Sequence, residues 1–467
     1  MWNKFKTTFL GDAAFYRRIM LLAIPMIAQN AITSFVSFAD NIMVGRLGTE
    51  PMSGVAIVNQ LLFVFNICIF GGVSGAGIFG TQFFGKGDHE GHKYTFRFKI
   101  YIALVIAGVA LLLFGFMKTD LISLYLHDSG DVGDVELALS YGEQYLAIMM
   151  LSLIPFALCQ AYVSTIRETG QTFVPMVASM IAVLTNLVLD YLFIFGISVF
   201  PAMGVQGAAI ATVVARILEF VIVVIWTHRN SDKNRYIIGA YKSIRIPANI
   251  CTDIIKKGIP LMLNEMLWAS GMTVIVQCYS VRGLEVVAAQ NISSTITNLF
   301  NIVFIQLGAC ISIVVGQYLG AGELKKAKDA DNKMIFFSVA CCTVVAAVMA
   351  LIGGLFPELY KTDQSIKDLA SQFILIAAAV MPLCAFSHSA YFTLRSGGKT
   401  GVTFLFDSVY TWVIVVPFAF YLARYTTLPV TLVVFFVQFT EIIKVTIGFF
   451  MVRSDVWLNN IVNEKVK

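Results

Sequence analysis

Charge is what this sequence lacks most. Of 467 residues only 13% are Asp, Glu, Lys or Arg, against 58% hydrophobic. A soluble domain carries roughly 25% charged residues, so an ordinary water-facing surface is excluded. The formal net charge of +5 is small, and its basic residues sit in short loops, which speaks for membrane topology and against nucleic-acid binding. Histidine is scarce, five in all, and only His388 falls well inside an apolar run. His89 and His92 stand three apart in a polar stretch, expected to be a solvated loop. The eight cysteines form no CxxC pair, so they read as small apolar fillers rather than metal ligands or disulfides. No short apolar core with a small-residue cleavage site stands near the start, so no signal peptide is expected. Polar stretches long enough for an ATP-binding domain are missing too. Ser396-Gly-Gly-Lys-Thr400 contains a GKT, but residue 393 is threonine where a phosphate loop needs glycine. ATP is therefore not expected as a partner, and no cofactor is expected.

Long apolar runs are what the sequence has instead. Each spanning helix needs ~20 apolar residues to cross ~30 Å of hydrocarbon. Twelve runs qualify: 18–44, 53–81, 96–117, 137–164, 172–196, 204–228, 258–280, 287–316, 334–356, 369–394, 402–423 and 428–452. Lys and Arg decide the orientation: with the N-terminus inside, 25 of the 33 lie in inner segments or at the inner ends of spans and six in outer segments. Both termini are thus expected in the cytoplasm, and the protein in the cell's inner membrane. The fold class that follows is an all-α integral membrane protein. Its expected segments are an amphipathic N-terminus (1–17), a six-helix lobe (18–228), a basic cytoplasmic connection (229–257), a second six-helix lobe (258–452) and a tail (453–467).

The two lobes resemble each other. A shift of 235 residues lays Pro25 on Pro260, Gly48 on Gly283, Glu50 on Glu285, Gln82 on Gln317, Gly85 on Gly320 and Gly87 on Gly322. A shift of 228 lays Arg167, Gly170 and Thr172 on Arg395, Gly398 and Thr400. Each half has an even number of spans, so the repeats run parallel. Parallel pseudo-symmetric repeats around a central cavity are a recurring plan of secondary transporters.

The first span reads Phe38-Ala-Asp-Asn-Ile-Met-Val-Gly45. The second ends Gly80-Thr-Gln-Phe-Phe-Gly-Lys-Gly87, with Gly316-Gln-Tyr-Leu-Gly-Ala-Gly322 as its counterpart. With Arg167-x-x-Gly170-x-Thr172, Gly204-Val-Gln-Gly-Ala-Ala209 and the six-plus-six plan, the chain resembles the multidrug and toxic compound extrusion (MATE) family over nearly its whole length. The resemblance implies a monomeric secondary antiporter, not an enzyme. Such a protein exports bulky, often cationic amphipathic compounds by alternating access, driven by inward H⁺ or Na⁺. The DinF-like branch implies an N-lobe coupling site at Asp40, Asn186, Asp190 and Thr212. The NorM-like branch uses C-lobe acids, but its tenth-helix aspartate falls at Cys384 here, so the chain is closer to the DinF-like branch.

Physical reading points to the same residues. An aspartate within a span is expensive and faces protein or a water-filled cavity. At 1.5 Å per residue, Asp40 lies roughly 6 Å, Asp190 roughly 8 Å and Thr212 roughly 12 Å from the outer ends of spans 1, 5 and 6. Asn186, four residues before Asp190, shares its face. These oxygens suit a hard cation such as Na⁺, or a shared proton, because two nearby carboxylates in low dielectric do not both ionise cheaply. The alternative is that they only bind neighbouring helices.

A second polar set, Glu265, His388 and Asp407, is expected in the inner half of the C-lobe, as a proton relay or as a structural cluster closing the inner mouth. Arg216 with Glu219, and Lys444 with Glu441, stand three apart and are expected to pair along their helices. Arg216 and Lys444 are expected to be the only intramembrane cations of their halves. That weakens a rival reading, a flippase for a lipid-linked precursor, which needs a basic cavity. Pro25 removes a backbone hydrogen bond in span 1 and is read either as a hinge or as a static kink.

Overall fold

The computed structural model describes residues 2–125, 134–196 and 200–463, with side chains from residue 6. Among these residues there is no strand, and twelve helices are long and apolar enough to cross a membrane. In hydrocarbon every backbone N–H and C=O must be satisfied within the segment, which is why apolar runs of this length become helices. The helices outrun the apolar runs. Span 2, Thr49–Lys86, has 38 residues, roughly 57 Å at the helical rise. Spans 1, 4, 7 and 10 (Ala13–Gly45, Val135–Glu168, Ala248–Ser280 and Gln364–Ser396) each carry an internal proline, at Pro25, Pro155, Pro260 and Pro382.

The repeat is written into the backbone. Gly48 and Gly283 have φ of 127° and 125°, Gly87 and Gly322 have 76° and 75°, and Gly170 and Gly398 have 83° and 73°. Residues with a Cβ rarely adopt such angles, so paired turns in the two halves share one conformation.

Two compact units emerge. One comprises residues 24–80 and 89–255, the other residues 1–23, 81–88 and 256–467. The first is packed around Val58, Ile69, Ala107, Leu146, Ala161 and Ala209. It includes the connection after span 6, which is folded rather than loose. Arg97 donates to the carbonyls of Gly239, Ala240 and Arg245 at 2.7–3.0 Å, and Phe96 packs edge-on against Tyr162 and tilted against Tyr236 there. The second unit is packed around Ile275, Ala289, Phe373, Ala419 and Val433. It takes in the start of span 1, where Arg18 donates to Gln317 and Tyr318 at 3.0 and 3.1 Å. It also takes in the inner end of span 2, where Gly85 and Gly320 abut the backbone of Gln317 and Gln82, each glycine against the other's partner glutamine.

Candidate cation site

A cavity of about 340 Å³ opens within the first unit. Its walls follow helical periodicity. Thr33, Ser37, Asp40 and Asn41 come from span 1, and Tyr145, Met149, Ser152 and Phe156 from span 4. Ala182 and Asn186 come from span 5 (Phe173–Phe195), and Thr212, Arg216 and Glu219 from span 6 (Gly204–Arg229). Spacings of three, four and seven put each group on one face.

Asp40, Asn186 and Thr212 line this cavity. Asp190 sits behind them with no exposed surface, close enough to Asp40 and Asn186 to interact with both. Asn186 donates to the Thr212 hydroxyl at 3.4 Å, and Thr212 donates to the Ala208 carbonyl at 3.0 Å. Both carboxylate oxygens of Asp190, and Oδ1 of Asp40, are buried without a hydrogen-bond donor of ordinary geometry. Burying such acceptors unsatisfied costs about 1–3 kcal/mol each, more for a charged group, so this arrangement calls for a proton or a small cation. Arg216 lines the same cavity but is paired, as expected, with Glu219 at 3.3 Å and stacks on Phe156.

The MatE family profile matches residues 25–192 and 260–422, one stretch in each half of the repeat. The chain belongs to the MATE family. As a MATE it is a multi-pass membrane protein and a secondary transporter, not an enzyme. It is similar to the probable multidrug resistance protein NorM of Thermotoga maritima, 22% identical over 88% of this chain and 86% of that one. It is also similar to the probable multidrug resistance protein YoeA of Bacillus subtilis, 21% identical over 89% and 88%. Its fold of two six-helix lobes matches a mutant form of VcmN, a MATE transporter of Vibrio cholerae. There the TM-score is 0.85 at 17% identity over 96% of this chain and 99% of the other.

Tyr145 is one of several residues of this MATE's cavity that sequence reasoning missed, with Asn41, Asn59 and Asn66 among the others. It is buried, and its hydroxyl lies among Asp40, Asp190 and Thr212. The spacing Tyr145, Met149, Ser152, Phe156 marks one polar-aromatic face of span 4, and that signal was available.

In the second unit the three polar residues expected to cluster take different partners. Asp407 pairs with Lys444 at 2.5 Å and accepts from Asn264 at 3.0 Å. Lys444 therefore reaches across to span 11 rather than along its own helix to Glu441, a correction: the acid across the helix interface offers a shorter path to the buried ammonium. Glu265 accepts from the Tyr391 hydroxyl at 3.4 Å and stands 4.0 Å from Arg395. His388 bonds the Cys384 carbonyl at 3.1 Å and packs on Phe304. Its ring makes no hydrogen bond to either acid among the described residues, so no continuous relay joins the three.

A further polar group was invisible to the sequence. His92, expected in a solvated loop, is 1% exposed and meets Glu168 at 3.3 Å. Lys99 is fully buried, ion-paired to Glu168, and donates to Thr165 at 3.0 Å. Arg216 is thus not the only cation buried among the first six helices. Helix 3 begins at His89, earlier than hydropathy suggests, because these charges neutralise one another. Gly80 leaves room for the Glu168 carboxylate, which a Cβ there would strike.

Proposed function

We propose that this MATE is an ion-coupled antiporter that exports amphipathic, cationic organic compounds across the inner membrane, with both termini in the cytoplasm. H⁺ or Na⁺ returns in exchange at Asp40 and Asp190. One observation carries the reading: Asp40 lines the cavity, the buried Asp190 sits beside it, and neither carboxylate enters an ion pair among the described residues. An unneutralised acid pair at that depth is expensive, so a cation or proton is bound for part of the cycle. Asn186 and Thr212 add neutral oxygens, which supports Na⁺ as an alternative to a proton. Phe63, Phe65, Phe156 and Met149 in the same walls suit an organic cation, through aromatic faces and a flexible thioether. The multidrug names of the NorM and YoeA relatives support the export of drugs. The N-lobe acids support a DinF-like branch.

Filling the acid pair with one cation weakens its hold on a second, the cargo. Export follows when the ion binds from outside, and alternating access prevents both from leaving together. Span 1 is suited to register the change. Between Pro25 and Asp40 the side chains of Asn30, Thr33 and Ser37 each bond the carbonyl four residues back, at 2.8–3.0 Å, a pattern that loosens and bends helices. The division between the compact units also falls just before Pro25. Spin labels flanking Pro25 should report a distance that changes with pH or sodium in the parent protein and stays constant in Asp40→Asn. An unchanged distance in the parent would dismiss the hinge.

The main test is dye efflux from proteoliposomes under separately imposed proton and sodium gradients. The parent protein should respond to one of them. Asp40→Asn should respond to neither, and coupled efflux retained in that variant would end the assignment.

A further inference from the structure

The second unit holds a buried carboxylate whose surroundings differ from those of Asp40 and Asp190. Asp407 lies in the first of two π-helical stretches of span 11, Leu405–Val409 and Thr411–Val415. Such widened turns occur frequently at functional sites. Lys444 lies one turn after the break in span 12 at Thr440, whose carbonyl accepts the Tyr410 hydroxyl at 2.6 Å. Both partners thus sit beside helix irregularities, and they meet at 2.5 Å with side chains 14% and 8% exposed. Asn264, 1% exposed, donates to the other Asp407 oxygen at 3.0 Å. Asn264 is itself fixed by the Ser408 hydroxyl, at 2.7 Å to its side chain and 2.8 Å to its backbone. The ammonium also lies 5.4 Å from the Phe406 ring centre. Glu441 from its own helix, Cys384, His388 and Tyr391 from span 10, Glu265 from span 7 and Tyr410 from span 11 complete the titratable surroundings.

We infer that Lys444 is a tethered counter-cation that occupies the position a coupling ion would otherwise take at Asp407, so that this acid exchanges no ion during transport. The geometry supplies each part of the argument. Both Asp407 oxygens are engaged by protein donors, one of them charged. An acid in the membrane needs a positive partner, and here the chain provides it covalently. The neighbouring Glu265 follows the same rule through Arg395. Lys444 is therefore a specificity-determining residue: it keeps ion exchange away from Asp407. The inference rests on the coupling reading only in naming Asp40 and Asp190 as the acids that do exchange an ion.

Counting bound cations tests it without requiring export. In the purified protein, proton uptake is read by pH-metric titration and sodium by radioactive sodium binding. Lys444→Met should bind one more monovalent cation than the parent, as a proton in one arm or as sodium in the other. Lys444→Arg should keep the parent count, and adding Asp407→Asn to Lys444→Met should return the count to it, which separates Asp407 from Glu441. A folded Lys444→Met protein with an unchanged sum of protons and sodium overturns the inference. Where Lys444→Met alone does not fold, the charge-neutral pair Asp407→Asn with Lys444→Met carries the test. It should export with the parent's dependence on the imposed gradient, and a folded double variant whose export no longer follows that gradient also overturns it.

Discussion

The two halves of this transporter share a backbone plan and treat one pair of buried acids each in opposite ways. In one unit Asp40 and Asp190 keep three carboxylate oxygens without a donor; in the other, Lys444 and Arg395 stand beside Asp407 and Glu265. The matching glycine turns show that the scaffold is common. What differs is the placement of a few charges on it. A repeat supplies two equivalent frames, and side-chain substitution then leaves one acid pair open to an exchangeable ion while closing the other with a built-in one.

The arginines sharpen the contrast. Arg167 and Arg395, repeat partners, both reach the first helix of their half about one turn past its proline. Arg167 donates to the neutral Gln29 at 2.6 Å, whereas Arg395 faces the charged Glu265 at 4.0 Å. The same reach serves a hydrogen bond in one half and an ion pair in the other.

Variants can break this comparison, beginning with the largest effect. Asp190→Asn removes one member of the open pair and should abolish gradient-driven efflux in proteoliposomes while the protein stays folded, because it relieves a buried charge. Efflux at the parent rate would show that the open acids are not the difference that matters. Glu168→Gln strips the counter-charge from the buried Lys99. Breaking such a pair costs about 3–5 kcal/mol, to be read as a lower unfolding midpoint, and adding Lys99→Met should recover most of it. A single variant as stable as the parent would show that Lys99 finds another partner.

Gly320→Ala is expected to do less. Its Cβ meets the Gln82 backbone, and overpacking of this kind costs about 1–3 kcal/mol. The reciprocal Gly85→Ala should cost a similar amount, so clearly unequal losses in thermal unfolding would show that the two crossings are not equivalent.

Glu358 offers the smallest effect and a baseline for a solvent-facing acid. Its hydrogen bonds from Lys367 and Gln364 hold its carboxyl below the usual carboxylate range. A depressed carboxylate stabilises the fold above its unfolded pKa and loses that contribution as pH falls through the folded one. Glu358→Gln should therefore leave efflux unchanged, lower neutral-pH stability only slightly and reduce the loss of stability on acidification by the same small amount. A marked drop at neutral pH would mean that exposed and buried pairs weigh alike.

Much of the architecture was legible from local chemistry alone. Hydropathy runs, loop charges, the Pro25–Pro260 match and the glycine pairs depend on neighbours along the chain, so twelve helices and a parallel repeat could be read without coordinates. Asp40, Asp190, Asn186 and Thr212 could be picked out because charge and amide within an apolar run are conspicuous, and helical rise gives their depth. Tyr145 escaped because an aromatic in a span is ordinary until its neighbours are known.

Partner choice belonged to the tertiary structure. Helical spacing brought Lys444 and Glu441 into range, yet the ammonium goes to Asp407, 37 residues away in sequence and on another helix. His92, read as part of a solvated loop, became a buried group with Lys99 and Glu168 once helices 3 and 4 packed together. The sequence by itself determined which segments become helices and where acids enter the membrane, since both follow from transfer free energies counted along one chain. Which of those acids is left without a cation was decided only by packing, because neutralising a buried charge depends on distances of a few ångströms between helices.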